Sequence, residues 1–217
     1  MSRKKKILLV DDHPVMLEGL SKLIAENEGL AVCGTAEDEA GVIDAISEHR
    51  PDAIIMDIGL KNSNGLNIMK SLHAQKSTIP ILVLSMHDEA LYAERCLKAG
   101  ALGYLMKQEA PDKVIEALFR VLSGSIYVSE KIIDRIVQRT TTNRDANVRG
   151  ITECLTDREL EVFELIGTGH GTRDIAEKLN LSVKTVETYR ERIKVKLGFK
   201  TGTQLVQQAH SWVQDAQ

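Results

Sequence analysis

The run Ala53-Ile54-Ile55-Met56-Asp57 decides the reading of the first half of the chain. Four apolar residues end in a carboxylate. Ile7-Leu8-Leu9-Val10 ends likewise in Asp11-Asp12, Ile81-Leu82-Val83-Leu84 in Ser85, and Gly103-Tyr104-Leu105-Met106 in Lys107. Short apolar runs of this kind suit strands buried on both faces of a parallel sheet. The carboxyl ends of such strands share one edge, and ligands bind there. The reading therefore brings three carboxylates, a hydroxyl and an ammonium into one crevice.

Helical spacing fills the gaps between these runs. Apolar positions at Val15, Leu17, Leu20, Leu23 and Ile24 predict a helix over 13–26, and Leu30–Gly34 reads as a second strand. Further helices are predicted over 39–48, 66–74, 88–99 and 111–122. Pro51 and Pro80 precede strands, and Pro111 stands in a first helical turn. Five strand–helix units with short connections describe an α/β doubly wound, five-stranded parallel sheet. Residues 1–125 form this first domain. Residues 126–150 read as a linker, with an amphipathic helix over 129–139 and a polar stretch over 140–147. Residues 151–217 carry only helical patterns and read as a small all-α domain. Thr156 with Glu159 makes a capping box, and Ser182 caps a third helix that Gly198 ends. Two helices joined at Asn180-Leu181 suit a helix-turn-helix.

Hydrophobic residues make up 43% of the 217-residue chain and charged residues 27%, with a formal net charge of −3. That is a soluble globular composition without a basic footprint over the whole chain. Cys33, Cys96 and Cys154 form no C-x-x-C pair, so neither a zinc ribbon nor a redox pair is supported. No apolar run approaches the roughly 18 residues that cross a bilayer, and the N-terminus lacks a signal peptide's apolar region. A cytoplasmic protein with no membrane partner is expected.

Asp11, Asp12 and Asp57 cannot stay ionised together cheaply, and a hard divalent cation relieves their repulsion. Mg2+ suits such a set, because it takes one or two carboxylates and keeps waters that a phosphoryl group can replace. Asp57 is then a candidate nucleophile, Lys107 a neutraliser of transferring charge, and Ser85 a donor to a phosphoryl oxygen. Singly, these residues also suit turns, helix caps and solvated positions.

On these residues the segment 5–122 resembles a response-regulator receiver domain, a flavodoxin-like fold. The resemblance implies Mg2+ held by Asp12, Asp57, the backbone carbonyl of Gly59, and Asp11 directly or through water. It implies a sensor histidine kinase as phosphodonor to Asp57. It also implies a switch in which Ser85 moves to the phosphate and Tyr104 turns inward behind it. His87 reads as a modulator of dephosphorylation or as an ordinary loop histidine. Gln108 replaces the proline common after the lysine, and Met86, where a small residue is common, is expected to narrow access.

Between Lys184 and Lys200 stand six basic residues, Lys184, Arg190, Arg192, Lys194, Lys196 and Lys200, against Glu187 and Glu191. Either a solvated face or a phosphate-binding face fits that excess. On a helical wheel Val186, Ile193 and Leu197 face inward, while Lys184, Thr188, Glu191, Arg192 and Val195 face outward. Such a helix can enter a major groove. The stretches Leu155–Val162, Asp174-Ile175-Ala176, Leu181–Thr188 and Lys196-Leu197-Gly198 resemble the LuxR-type, or NarL/FixJ-type, DNA-binding domain. This resemblance implies a homodimer, when active, on paired half-sites of double-stranded DNA. It places Lys184, Thr185, Thr188, Arg192 and Lys196 at or near the DNA. Tyr189 departs from the usual histidine.

The whole then reads as a phosphorylation-controlled transcription regulator and not an enzyme. Two alternatives stay open: a Mg2+-dependent phosphohydrolase, disfavoured because Ile58-Gly59 and not x-Asp follows Asp57, and a DNA-binding protein whose receiver is a passive dimerisation module.

Overall fold

The computed structural model describes residues 3–60, 63–141, 151 and 154–216. It divides into two compact units, residues 1–135 and 136–217.

The first unit alternates β1 (Lys5–Val10), α1 (Pro14–Ala25), β2 (Leu30–Ala36), α2 (Glu39–His49), β3 (Ala53–Met56), α3 (Gly65–Ala74), β4 (Ile81–Ser85), α4 (Glu89–Lys98), β5 (Gly103–Met106) and α5 (Pro111–Leu122). All strand pairs are parallel, in the order β2-β1-β3-β4-β5. The central runs are buried on both faces, which is why they carry no polar alternation. Ile7, Leu9, Ile55, Leu82, Leu84 and Leu105 pack with Leu20 and Ile24 of α1 and Val114, Leu118 and Val121 of α5. Leu8, Ile54, Met56 and Val83 alternate to the opposite face and are also buried. Each such fully buried side chain is worth about 1.5–3 kcal/mol.

Three sequence expectations shift. β2 runs on to Ala36, with a register irregularity opposite Ile7 and Leu8 that passes over Cys33. His13 is not helical but the N-cap of α1, with Pro14 taking the first turn. Tyr127, which shows no strand pattern, makes a parallel bridge to Gly103. Its N–H donates to the Leu102 carbonyl (2.9 Å), and its carbonyl accepts from the Tyr104 N–H (2.9 Å). This covers part of the open edge of β5.

The amphipathic linker helix is α6 (Glu130–Thr141). The Ser129 hydroxyl donates to Glu89 (2.8 Å) and the Arg135 guanidinium to the Ala90 carbonyl (2.9 Å), so the start of α6 is tied to the first turn of α4. The polar stretch read as linker lies, from residue 142 on, outside the described residues.

The second unit holds α7 (Asp157–Gly167), α8 (Thr172–Lys178), α9 (Val183–Leu197) and α10 (Gly202–Ala216). The capping box at Thr156 and Glu159 is formed on both sides. α7 and α10 cross closely at Gly167, where an added Cβ would stand 2.4 Å from the Ala209 carbonyl oxygen. Phe163 and Trp212 pack at 5.4 Å between ring centres. Gly198 closes α9 in the left-handed region, at φ 72°. No described helix is long and apolar enough to cross a membrane.

Candidate functional site

The order of strands reverses between β1 and β3, so the carboxyl ends of those two strands flank the switch point of the sheet. Ladder hydrogen bonds continue one residue past the strands there. The Asp11 N–H donates to Ala36 (3.1 Å), the Asp57 N–H to Val10 (2.8 Å) and the Lys107 N–H to Ser85 (2.8 Å). The polar residue that ends each run is thus fixed by sheet register, not by a free loop.

All three aspartates are buried. The Lys107 ammonium, also buried, lies 2.6 Å from Asp11 Oδ2 and 2.6 Å from Asp57 Oδ2. Burial pulls this lysine's pKa down, but Asp57 and Asp11 outweigh it and hold the ammonium above the ordinary lysine value. Asp57 Oδ1 accepts from the Gly59 N–H (3.2 Å). One ligand atom from each of Asp11, Asp12, His13 and Asp57 lies within 4.8 Å of every other. Three carboxylates around one ammonium leave the cluster acidic, and its hard oxygen donors fit a hard divalent cation.

Ser85 is wholly buried, and its Oγ accepts from the His87 N–H (3.3 Å). Tyr104 is buried, and its hydroxyl donates to the His87 carbonyl (2.7 Å) beneath the turn after β4. The ring therefore stands in the inward position. His87 stacks on Tyr92 (4.5 Å), while Met86 is 60% exposed. Asp11, Asp57 and Lys107 are in direct contact, and Asp12 completes their cluster. Ser85 and Tyr104 flank it from β4 and β5.

Sequence reading missed two residues here. His13 turns its ring to the acidic cluster, and the proline that follows it, which keeps it out of the helix, was the available signal. Gly65 brings α3 onto the Asp57 backbone: a Cβ there would stand 2.1 Å from the Asp57 carbonyl oxygen.

In the second unit α9 buries Val186 and Ile193 and exposes Lys184, Thr188, Glu191, Arg192 and Val195, as the wheel predicts, while Leu197, also read as inward, is half-buried. The other two candidates have side-chain partners in their own unit. Thr185 Oγ1 lies 2.8 Å from Ser182 Oγ inside the cap. The Lys196 ammonium donates to Glu159 Oε2 (2.6 Å), so this exposed residue's charge is paired within the unit.

A doubly wound sheet with an acidic cluster at its switch point, joined to a helix-turn-helix unit, is the architecture of a two-component response regulator. Residues 7–119 match the response regulator receiver domain, and residues 153–209 match the luxR family of bacterial regulatory proteins. The oxygen regulatory protein NreC of Staphylococcus epidermidis is 34% identical over 94% of this chain and 96% of its own. RcsB of Salmonella enterica serovar Typhimurium, solved on the P1flhDC promoter with the phosphomimetic BeF3-, is 25% identical. That match covers 96% of this chain and 100% of RcsB, with a TM-score of 0.62. A structure of two RcsB dimers on two parallel DNAs is also 25% identical, covering 97% of this chain and 100% of its own, with a TM-score of 0.57. The chain belongs to the response-regulator family, in the branch with a LuxR-type DNA-binding domain. It is a DNA-binding regulator of a two-component system.

Proposed function

We propose that Asp57 accepts a phosphoryl group from a sensor histidine kinase, and that this acceptance controls binding to paired half-sites on double-stranded DNA by a homodimer. In this reading residues 1–125 are the receiver, 126–150 the connecting segment and 151–217 the DNA-binding domain. The carrying observation is the Lys107 ammonium held between Asp57 and Asp11 beside Asp12.

A carboxylate oxygen of Asp57 bonds to the phosphorus of a kinase phosphohistidine. The phosphorus–nitrogen bond breaks, and the imidazole keeps its electron pair. Lys107, already on Asp57 Oδ2, neutralises charge gathered on the phosphoryl oxygens. Mg2+ would be held by Asp11, Asp12, Asp57 and the Gly59 carbonyl, and would supply further neutralisation. Ser85 Oγ would give up the His87 N–H to meet a phosphoryl oxygen. Tyr104, already on the His87 carbonyl, would hold the rearranged turn. Such a local change biases a two-state face of the domain. On α9, Lys184, Thr188 and Arg192 would meet DNA, with Thr185 shaping the helix start and Lys196 bracing the helix against Glu159. The promoter-bound RcsB structure supports this mode.

Incubation with acetyl phosphate and Mg2+ followed by intact mass tests the proposal. The chain should gain one phosphoryl group and Asp57→Ala none. Uptake by Asp57→Ala would remove Asp57 from the role.

A further inference from the structure

We propose that His13 is a nitrogen ligand of the acidic cradle, giving it a preference for transition-metal ions such as Ni2+ over Mg2+. The inference rests on the reading of Asp11, Asp12 and Asp57 as a divalent-cation site and adds a donor of a different kind to it.

The local sequence puts the ring there. Proline disfavours helical backbone in the residue before it and starts a helix well at its first position. His13 accordingly keeps φ −102° and ψ 106°, outside α1. At that position it makes no side-chain cap to the helix. The ring turns back toward the strand ends instead: Nδ1 stands 3.0 Å from Asp11 Oδ1 and 2.7 Å from Asp12 Oδ1. The His13 N–H also donates to Asp11 Oδ1 (2.9 Å), which fixes the backbone against the same carboxylate.

Nδ1 is hydrogen-bonded to Asp11 and paired with Asp12, and a cation that displaces its proton finds donors already at the spacing of neighbouring ligands. Metal–oxygen and metal–nitrogen bonds of about 2.1 Å at right angles separate adjacent donors by about 3 Å. Nδ1 meets that separation to two carboxylates already grouped with Asp57. Lys107 approaches from Asp11 Oδ2 and Asp57 Oδ2, so the imidazole and the ammonium take different oxygens of Asp11.

Donor chemistry gives the consequence. Mg2+ gains little from an imidazole, whereas affinity for nitrogen-bearing sites rises along the series from Mn2+ to Ni2+. A cradle of three carboxylates takes Mg2+ through oxygen alone. With His13 turned in, it discriminates in favour of the ion that values nitrogen.

Calorimetric titration of the full chain with Mg2+ and with Ni2+ tests this. The variants are His13→Ala and Asp57→Asn. His13 is mostly exposed, so its replacement spares the core. His13→Ala should weaken the Asp57-dependent Ni2+ site about tenfold or more and leave Mg2+ within about twofold. Counting only binding that Asp57→Asn also weakens excludes nickel held by other histidines. Pulsed electron paramagnetic resonance with bound Mn2+ should show an imidazole nitrogen coupling that His13→Ala removes. Unchanged Ni2+ affinity and an unchanged nitrogen coupling in His13→Ala, with Mg2+ still bound, would overturn the His13 assignment alone. Absence of any Asp57-dependent binding of either ion would overturn the cation-site reading and the inference together.

Discussion

The Lys196 ammonium lies 2.6 Å from Glu159 Oε2, and the same oxygen accepts the Thr156 N–H at 2.8 Å. One carboxylate therefore closes the cap of α7 and braces the last turn of α9. Burial pushes the Glu159 carboxyl up, but Lys196 and the Thr156 amide outweigh it and hold its pKa below the ordinary range. The folded unit thus binds this proton less readily than the unfolded chain. The stabilisation is complete above the unfolded value, about 4.3, and is lost as pH falls through the lower folded value. Trp212, the single tryptophan, is buried in this unit and reports its unfolding. Thermal melts followed by tryptophan fluorescence from pH 7 to pH 3 should show Glu159→Gln less stable at neutrality and less sensitive to acid. Parallel acid profiles for the two proteins would deny the coupling.

Gly65 is required by contact, not by turn geometry. An alanine Cβ would meet the Asp57 carbonyl oxygen at 2.1 Å and the Ile58 Cα at 3.0 Å, both backbone. Neither atom can rotate away. Gly65→Ala should cost about 1–3 kcal/mol, as overpacking does, and lower phosphoryl uptake by displacing Asp57. Urea unfolding and intact mass measure both effects, and wild-type values for both would refute the close approach.

Lys107 separates two buried carboxylates that would otherwise face each other. Breaking a buried pair by removing one partner costs about 3–5 kcal/mol. Lys107→Met should show a loss of that order without divalent cation. Mg2+ should restore more stability to the variant than it adds to the wild type, because a second positive charge has gone. Equal Mg2+ stabilisation of both proteins, read from melting temperatures, would count against a shared cation site.

Residues 127–135 are tied to β5 and α4 by identified bonds. Ser129→Ala with Arg135→Ala should raise hydrogen exchange across the first turns of α6, because two identified side-chain ties to α4 would be gone while Ile132, 3% exposed, stays packed. The β5 amides should stay protected. Unaltered exchange in α6 would show that these two side chains do not hold it.

How much of this was legible beforehand depended on range. The Ala53–Met56 run announced a doubly buried strand, and its neighbours announced the shared edge, because period and polarity are local properties. Val186 and Ile193 were legible as the inner face of α9 for the same reason. Lys196 was not: its partner Glu159 is 37 positions away, and the wheel records which side a residue faces but not what waits there. Tyr127 had no neighbours to make a strand pattern, so only the open edge of β5 explains its bridge. Apolar periodicity starting nearby predicts helix at His13, whereas Pro14 sets the boundary one residue later.

The outward face of α9 makes the last prediction specific. Lys184, Thr188, Arg192 and Lys196 are all exposed, but the Lys196 charge is paired with Glu159. A side chain that neutralises one phosphate contributes close to one unit to the slope of log affinity against log salt. Arg192→Ala and Lys184→Ala should each shallow that slope by about 1. Lys196→Met should leave the slope unchanged and lower the unfolding stability of the helical unit by about 1–3 kcal/mol. Fluorescence anisotropy on a fixed duplex, with salt varied, separates the two kinds of lysine, since an internal brace alters stability and a phosphate contact alters counterion release. A slope that falls in Lys196→Met as it does in Arg192→Ala would return Lys196 to the DNA face and leave Glu159 without its proposed partner in the bound protein.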